Sequence, residues 1–123
     1  MPMLYQPKEK WGLDLVLPAI PTPGNNSFLG DVFTSEAEPD KQISCGFYRQ
    51  EAGEPLVYTY DYDEMKVILE VVGEYTLTDE TGYKVSVKPG DVFYFKKGCT
   101  ITFQNTGGYG LAFFTGLRTN GTA

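Results

Sequence analysis

A chain of 123 residues is long enough for one domain around one hydrophobic core. Its formal net charge of −6, with no histidine, argues against a nucleic-acid partner, because a phosphate backbone needs a basic surface to displace its counterions. Aromatic residues make up 15%, and 14 Gly and 8 Pro accompany them, a composition of short strands and tight turns; no run reaches the roughly 18 apolar residues of a membrane span.

Residues 1–42 read as an extended arm. Pro18, Pro21, Pro23 and Gly24 interrupt any regular element. Before them, Trp11, Leu13, Leu15 and Leu17 alternate with other residues and predict one strand. That apolar surface has to cover either the outer face of the chain's own domain or a partner subunit, and a symmetric homodimer is the expected arrangement. Met1 to Ile20 carries Asp, Glu and Lys in and around its apolar stretch, unlike a signal peptide. A cytoplasmic location is therefore expected, with Cys45 and Cys99 as reduced thiols and the sequons at Asn25 and Asn120 unused.

From Ile43 the pattern is a series of strands and turns running to residue 118, followed by a short tail, 119–123. Strands are predicted over 43–50 and 56–62, joined by the turn at Gly53 and Pro55. A long apolar run, 66–77, ends at the hairpin turn Asp79-Glu80-Thr81-Gly82. Further strands are predicted at 83–87, 92–95, 101–104 and 111–114. Between them stand the turns Lys88-Pro89-Gly90-Asp91, Lys96-Lys97-Gly98 and Asn105-Thr106-Gly107-Gly108. Turns this frequent predict an all-β sandwich or barrel.

The densest polar stretch runs from Tyr58 to Lys66, with three phenols, three carboxylates and one amine among nine residues. A carboxylate and an amine that share a low-dielectric interior each favour the other's charged form while burial opposes both. Such a pair serves as general base and general acid, or the lysine holds a substrate carboxylate; a lysine whose pKa burial lowers can also form a Schiff base with a carbonyl. The plain alternative is an acidic strand end and a solvated turn, and that reading is the stronger one for Asp63. Tyr48, Tyr60, Tyr94 and Phe103 are candidates for the walls of a pocket that binds a small planar or apolar molecule, although any one of them is as readily barrel core. Cys99 has no histidine to activate it and reads as structural.

Two segments carry a family resemblance. Gly53-x5-Thr59-x-Asp61-x4-Lys66-x6-Gly73 and Gly90-x5-Lys96-x-Gly98-x2-Ile101-x3-Asn105 keep the spacing of the two cupin motifs. With Tyr62-Asp63-Glu64, Asp79-Glu80-Thr81-Gly82, Pro89-Gly90-Asp91 and Tyr109-Gly110-Leu111-Ala112, residues 43–118 resemble the ethanolamine-utilisation protein Q branch of the cupins. The resemblance implies a single-domain, double-stranded β-helix (jelly-roll) barrel. It also implies that Thr59, Asp61, Lys66 and Ile101 occupy the positions where that pattern has His, His, Glu and His. A set of Thr, Asp, Lys and Ile does not suit iron, zinc or nickel, so no metal and no cofactor is expected. Val71 and Val72 lengthen the segment before Gly73. Counting back from Gly73 puts Lys66 at the ligand-Glu position, and counting forward from Tyr62-Asp63 puts Glu64 there. The two are two residues apart, so both face one side of a strand if a bulge at Val71-Val72 absorbs the difference.

The expected function is metal-independent acid–base catalysis of the lyase or isomerase type on a small carbonyl- or carboxylate-bearing metabolite. Asp61, Glu64, Lys66 and Tyr60 are the catalytic candidates, and Thr59, Tyr48, Tyr94, Ile101 and Phe103 the substrate-binding ones. A non-catalytic ligand-binding or structural cupin is the first alternative. A magnesium or manganese site built from Asp61, Glu64 and Glu70 is the second.

Overall fold

The computed structural model describes residues 3–8 and 26–118. Seven strands follow one another with no α-helix among the described residues: β1 Ser27–Thr34, β2 Ser44–Glu51, β3 Leu56–Thr59, β4 Glu64–Thr78, β5 Lys84–Ser86, β6 Val92–Phe95 and β7 Thr100–Gly116. All pairings are antiparallel. The sheet runs β1-β2-β7-β4-β5, with β3 also on β7 and β6 also on β4.

The two long strands organise the jelly-roll barrel. They pair along their length, from Glu64 opposite Gly116 to Thr78 opposite Thr102. The first half of β4 lies between β6 and β7, and its second half between β5 and β7. The end of β7 lies between β2 and β4, and its beginning between β3 and β4. Each long strand therefore bends from one wall of the barrel to the other. The bends fall where residues drop out of register, at Leu69 and around Gly73, as bulges do when a strand has to turn a corner. Gly73 has φ 80°, and a Cβ there would lie 2.4 Å from the Thr106 carbonyl oxygen, so any other residue would push β4 off β7.

Three expectations are corrected. Strand β1 lies inside the segment read as an arm: Ser27 to Thr34 pairs with β2 as an edge strand of the sheet. The strands predicted at 101–104 and 111–114 are one continuous β7, because Gly107 at φ 87° and Gly108 are absorbed opposite Gly73 and do not form a hairpin. The bulges flank Val71 and Val72, which are themselves in regular register with Gly110 and Tyr109. Trp11 to Leu17 lies outside the described residues.

The core fills the barrel. Tyr48, Ile68, Tyr75, Phe103 and Phe114 are each at most 2% exposed. Alternation along β4 puts Glu64, Lys66 and Ile68 inside and Met65 outside. No helix among the described residues is long and apolar enough to cross a membrane.

Candidate functional site

The inward positions of β4 bring two charges into an otherwise apolar barrel. Glu64 and Lys66 each have 2% of their side chain exposed, and Lys66 Nζ lies 3.5 Å from Glu64 Oε2. Charges this deep are tolerated only when paired and hydrogen-bonded. Glu64 meets that condition: Tyr60 Oη donates to Oε2 at 2.7 Å and Tyr62 Oη to Oε1 at 3.4 Å. Tyr58, half-buried, donates to the Tyr62 hydroxyl at 3.4 Å and completes a line of phenols leading to the carboxylate.

The rest of the ammonium faces aromatic rings. Nζ stands 4.2 Å from the ring centre of Tyr48, 4.8 Å from Phe103 and 5.6 Å from Phe95. Ring faces attract a desolvated cation, yet weakly compared with water. Burial accordingly lowers the Lys66 pKa from the ordinary lysine value, against the opposing pull of Glu64. The same burial, with the Glu64 charge beside it, raises the Tyr60 phenol well above its usual range. Tyr48 is held from behind: its hydroxyl donates to Gln50 Oε1, which also accepts from Ser27 Oγ at 2.6 Å. The cavity bounded by these groups, with Leu29 and Leu56 among its walls, measures about 20 Å³, room for about one water molecule.

Of the residues singled out from sequence, Glu64, Lys66, Tyr60, Tyr48 and Phe103 line this cavity together. Ile101 is buried but, with Phe95, lines a second cavity. Three others point away. Thr59 is exposed and bonds Thr100 Oγ1 at 2.8 Å, because the pairing of Tyr58 with Ile101 turns that neighbour of Thr59 inward. Asp61 is exposed in the bend after β3, where the chain leaves the strand before the predicted end at Tyr62. Tyr94 is 51% exposed, on the outer side of β6 opposite Met65, with its hydroxyl 3.4 Å from Asp63; like Ile101 it borders the second cavity and not the first. Tyr58 and Tyr62 were not singled out as functional; their alternation with Tyr60 is the only signal the sequence carries for them.

Arg118 and Asp31 were also missed. Their buried side chains are ion-paired at the end of the barrel, joining β1 to the end of the described chain. The guanidinium lies 5.1 Å from the Phe114 ring centre and 5.8 Å from that of Tyr62.

A resident metal does not fit. The positions of the cupin ligand pattern hold an exposed threonine, an exposed aspartate, a buried amine and a buried isoleucine. The alternative carboxylate set does not assemble either. Asp61 is outside, Glu64 is inside, and Glu70 accepts from the Tyr109 hydroxyl at 3.1 Å. No group of three or more His, Cys, Asp or Glu converges among the described residues.

Residues 37–106 match the EutQ-like cupin domain. The chain belongs to the EutQ-like cupin family. Solved structures share its fold. The ethanolamine utilization protein Q of Salmonella typhimurium is 24% identical over 81% of this chain and 76% of its own, with a TM-score of 0.62. The Clostridium difficile EutQ protein is 24% identical over 76% of this chain and 69% of its own, with a TM-score of 0.60. The polyketide cyclase RemF from Streptomyces resistomycificus is 14% identical over 93% of this chain and 79% of its own, with a TM-score of 0.71. No curated protein matches the chain. Identities this low establish a common barrel and leave the chemistry to the side chains inside it.

Proposed function

We propose that this EutQ-like cupin is a metal-independent acid–base catalyst of the lyase or isomerase type, acting on a small carbonyl- or carboxylate-bearing molecule. The observation that carries the reading is the Glu64–Lys66 pair, 3.5 Å apart and 2% exposed inside the barrel. A buried ion pair of this kind adds little to stability compared with apolar residues of the same volume. Its use is chemical. The Glu64 carboxylate accepts a proton from the carbon next to the substrate carbonyl. The Lys66 ammonium holds the oxygen on which negative charge develops and returns a proton to it. Tyr60 and Tyr62 orient the carboxylate through the bonds described above. These transfers leave an enol, a protonated Glu64 and a neutral Lys66; Glu64 then gives its proton to carbon and Lys66 recovers one from the enol hydroxyl, which restores both groups and completes an isomerisation with no further reactant. A cytoplasmic setting suits the two free thiols, Cys45 and Cys99.

One observation favours a second reading, a non-catalytic binding or structural cupin: the cavity at the pair has room for about one water, and Glu64 already has three partners. The two readings separate on proton exchange. In deuterated water, the catalyst washes deuterium into the carbon positions beside the carbonyl of at least one member of a panel of small keto acids and keto esters, followed by NMR. Lys66→Met and Glu64→Gln slow that exchange by roughly 100-fold or more, the scale of losing a general acid or base. A wild-type protein that exchanges none of the panel above the buffer rate, with the fold intact, removes the catalytic reading and leaves the binding one.

A further inference from the structure

A second cavity, of about 240 Å³, is lined in part by Phe95, whose ring stacks on the Glu64 partner Tyr60. Leu77, Val85, Phe93, Phe95 and Ile101 form its apolar walls, and Asp79 and Tyr83 of the turn after β4 stand at its polar end. Its size lies just under the roughly 300–1,000 Å³ of drug-sized ligand sites, which suits a molecule of one or two rings.

The shape of the wall is the informative part. Phe95 stacks on Tyr60 at 5.1 Å with 15° between the planes, and Phe93 stacks on Phe95 at 5.7 Å with 14°. Three nearly parallel rings therefore run from the carboxylate partner Tyr60 outward to Phe93, and the last two line the chamber. Cross-strand pairing sets this order: Phe95 lies opposite Glu64 and Phe93 opposite Lys66. A flat ring lying parallel to Phe93 would extend this stack, whereas a puckered one would not. At the polar end, Asp79 Oδ1 accepts from Thr81 N at 2.9 Å, Thr81 Oγ1 at 2.6 Å and Tyr83 N at 3.1 Å. These bonds hold the side chain in place as an acceptor, and hydrogen bonding from Thr81 keeps its pKa below the ordinary aspartate value. With Oδ1 filled by these bonds, Oδ2 is the oxygen left to accept from a hydroxyl on the occupant, and its negative charge disfavours an anion.

We propose that this chamber binds a planar aromatic molecule of one or two rings bearing a hydroxyl group, apart from the Glu64–Lys66 pair. Binding in the chamber does not rest on the reading of Glu64 and Lys66 as the reacting pair. The probes are naphthol and its saturated counterpart decalinol, which share a skeleton and a hydroxyl and differ in flatness. Titrated into the full chain and followed by NMR, naphthol binds about 10-fold more tightly than decalinol, the scale of one aromatic contact. Val85→Phe, on the half-buried edge strand β5, and Ile101→Phe, on the opposite wall, each fill the chamber and weaken naphthol by a similar factor. Lys66→Met leaves naphthol affinity unchanged. Equal affinity for the two probes, no naphthol binding, or unchanged binding in whichever chamber variants keep the wild-type melting transition overturns the proposal. Loss of naphthol binding in Lys66→Met overturns it as well, because the occupant would then sit at the ion pair. Since binding is measured without turnover, these results stand whether or not the keto-acid exchange is seen.

Discussion

Replacing Glu64 by Gln destabilises the barrel by about 3–5 kcal/mol, the cost of leaving a buried charge without its counter-charge. For a domain of this size that lowers Tm by more than about 10 °C. The reason is local. Lys66 has Glu64 as its ion-pair partner and is otherwise surrounded by the rings of Tyr48, Phe95 and Phe103, which are weak substitutes for a carboxylate. Lys66→Met has a smaller effect, since Glu64 keeps its hydrogen bonds from Tyr60 and Tyr62 and the unbranched thioether follows the path of the lysine stem. The double variant is more stable than Glu64→Gln alone, because no unpaired cation remains. Thermal melts of wild type and the three variants at neutral pH check this order. Equal melting points for wild type and Glu64→Gln would mean that Lys66 reaches solvent or is uncharged, and the pair would lose its standing as the reacting centre.

Stability passes through a maximum near about pH 10 and then collapses. Two opposing groups produce this. Burial lowers the Lys66 pKa below the free value of 10.5. Between its folded value and 10.5 the unfolded chain binds the extra proton, so raising the pH favours the folded form across that window. The phenols of Tyr48, Tyr60, Tyr62 and Tyr75 behave in the opposite sense. Burial raises all four above 10.0. Above that pH the unfolded chain releases protons that the folded chain retains, and stability is lost as the pH climbs toward the folded values. One pH unit beyond the free phenol value, the four together withdraw roughly 5 kcal/mol, comparable with the whole stability of a small domain at about 5–15 kcal/mol. Tm measured against pH, together with tyrosinate absorbance, follows the process. Phenolate formation and loss of strand structure should coincide. Phenols that ionise as free tyrosines while the barrel stays folded would show that these side chains reach solvent.

Much of the architecture is legible in the chain itself. Turn residues at Gly53, Gly82, Gly90 and Gly98 all adopt positive φ, and they punctuate strands close to where the sequence puts them. The exceptions share a cause. Gly107 also has positive φ, yet it is absorbed within β7 instead of ending it, because β4 supplies a matching irregularity at Gly73. A turn and a bulge use the same residues locally, and only the partner strand decides between them. Likewise Ser27 to Thr34 carries Phe28, Val32, Phe33 and Thr34, but Gly30 and Asp31 interrupt any alternation, and pairing along the edge of β2 makes it a strand. The candidate site divides along the same line. Thr59 and Asp61 were chosen by spacing from Gly53, but β3 pairs with β7 so that Tyr58 lies opposite Ile101 and Thr59 opposite Thr100, and the strand stops there. Tyr60 and Tyr62, on either side of Asp61, then point inward in their place.

What the sequence by itself determined is the period. Glu64 and Lys66 are two residues apart on a strand, so they share a face whichever register holds, and an acid beside an amine follows from that spacing alone. Which face is the interior, which phenols meet the carboxylate, and which aromatic rings line the second cavity were decided only by tertiary structure. Those outcomes depend on which strands lie beside β4 and β7, and pairings between residues far apart in the chain leave no periodic trace in either partner.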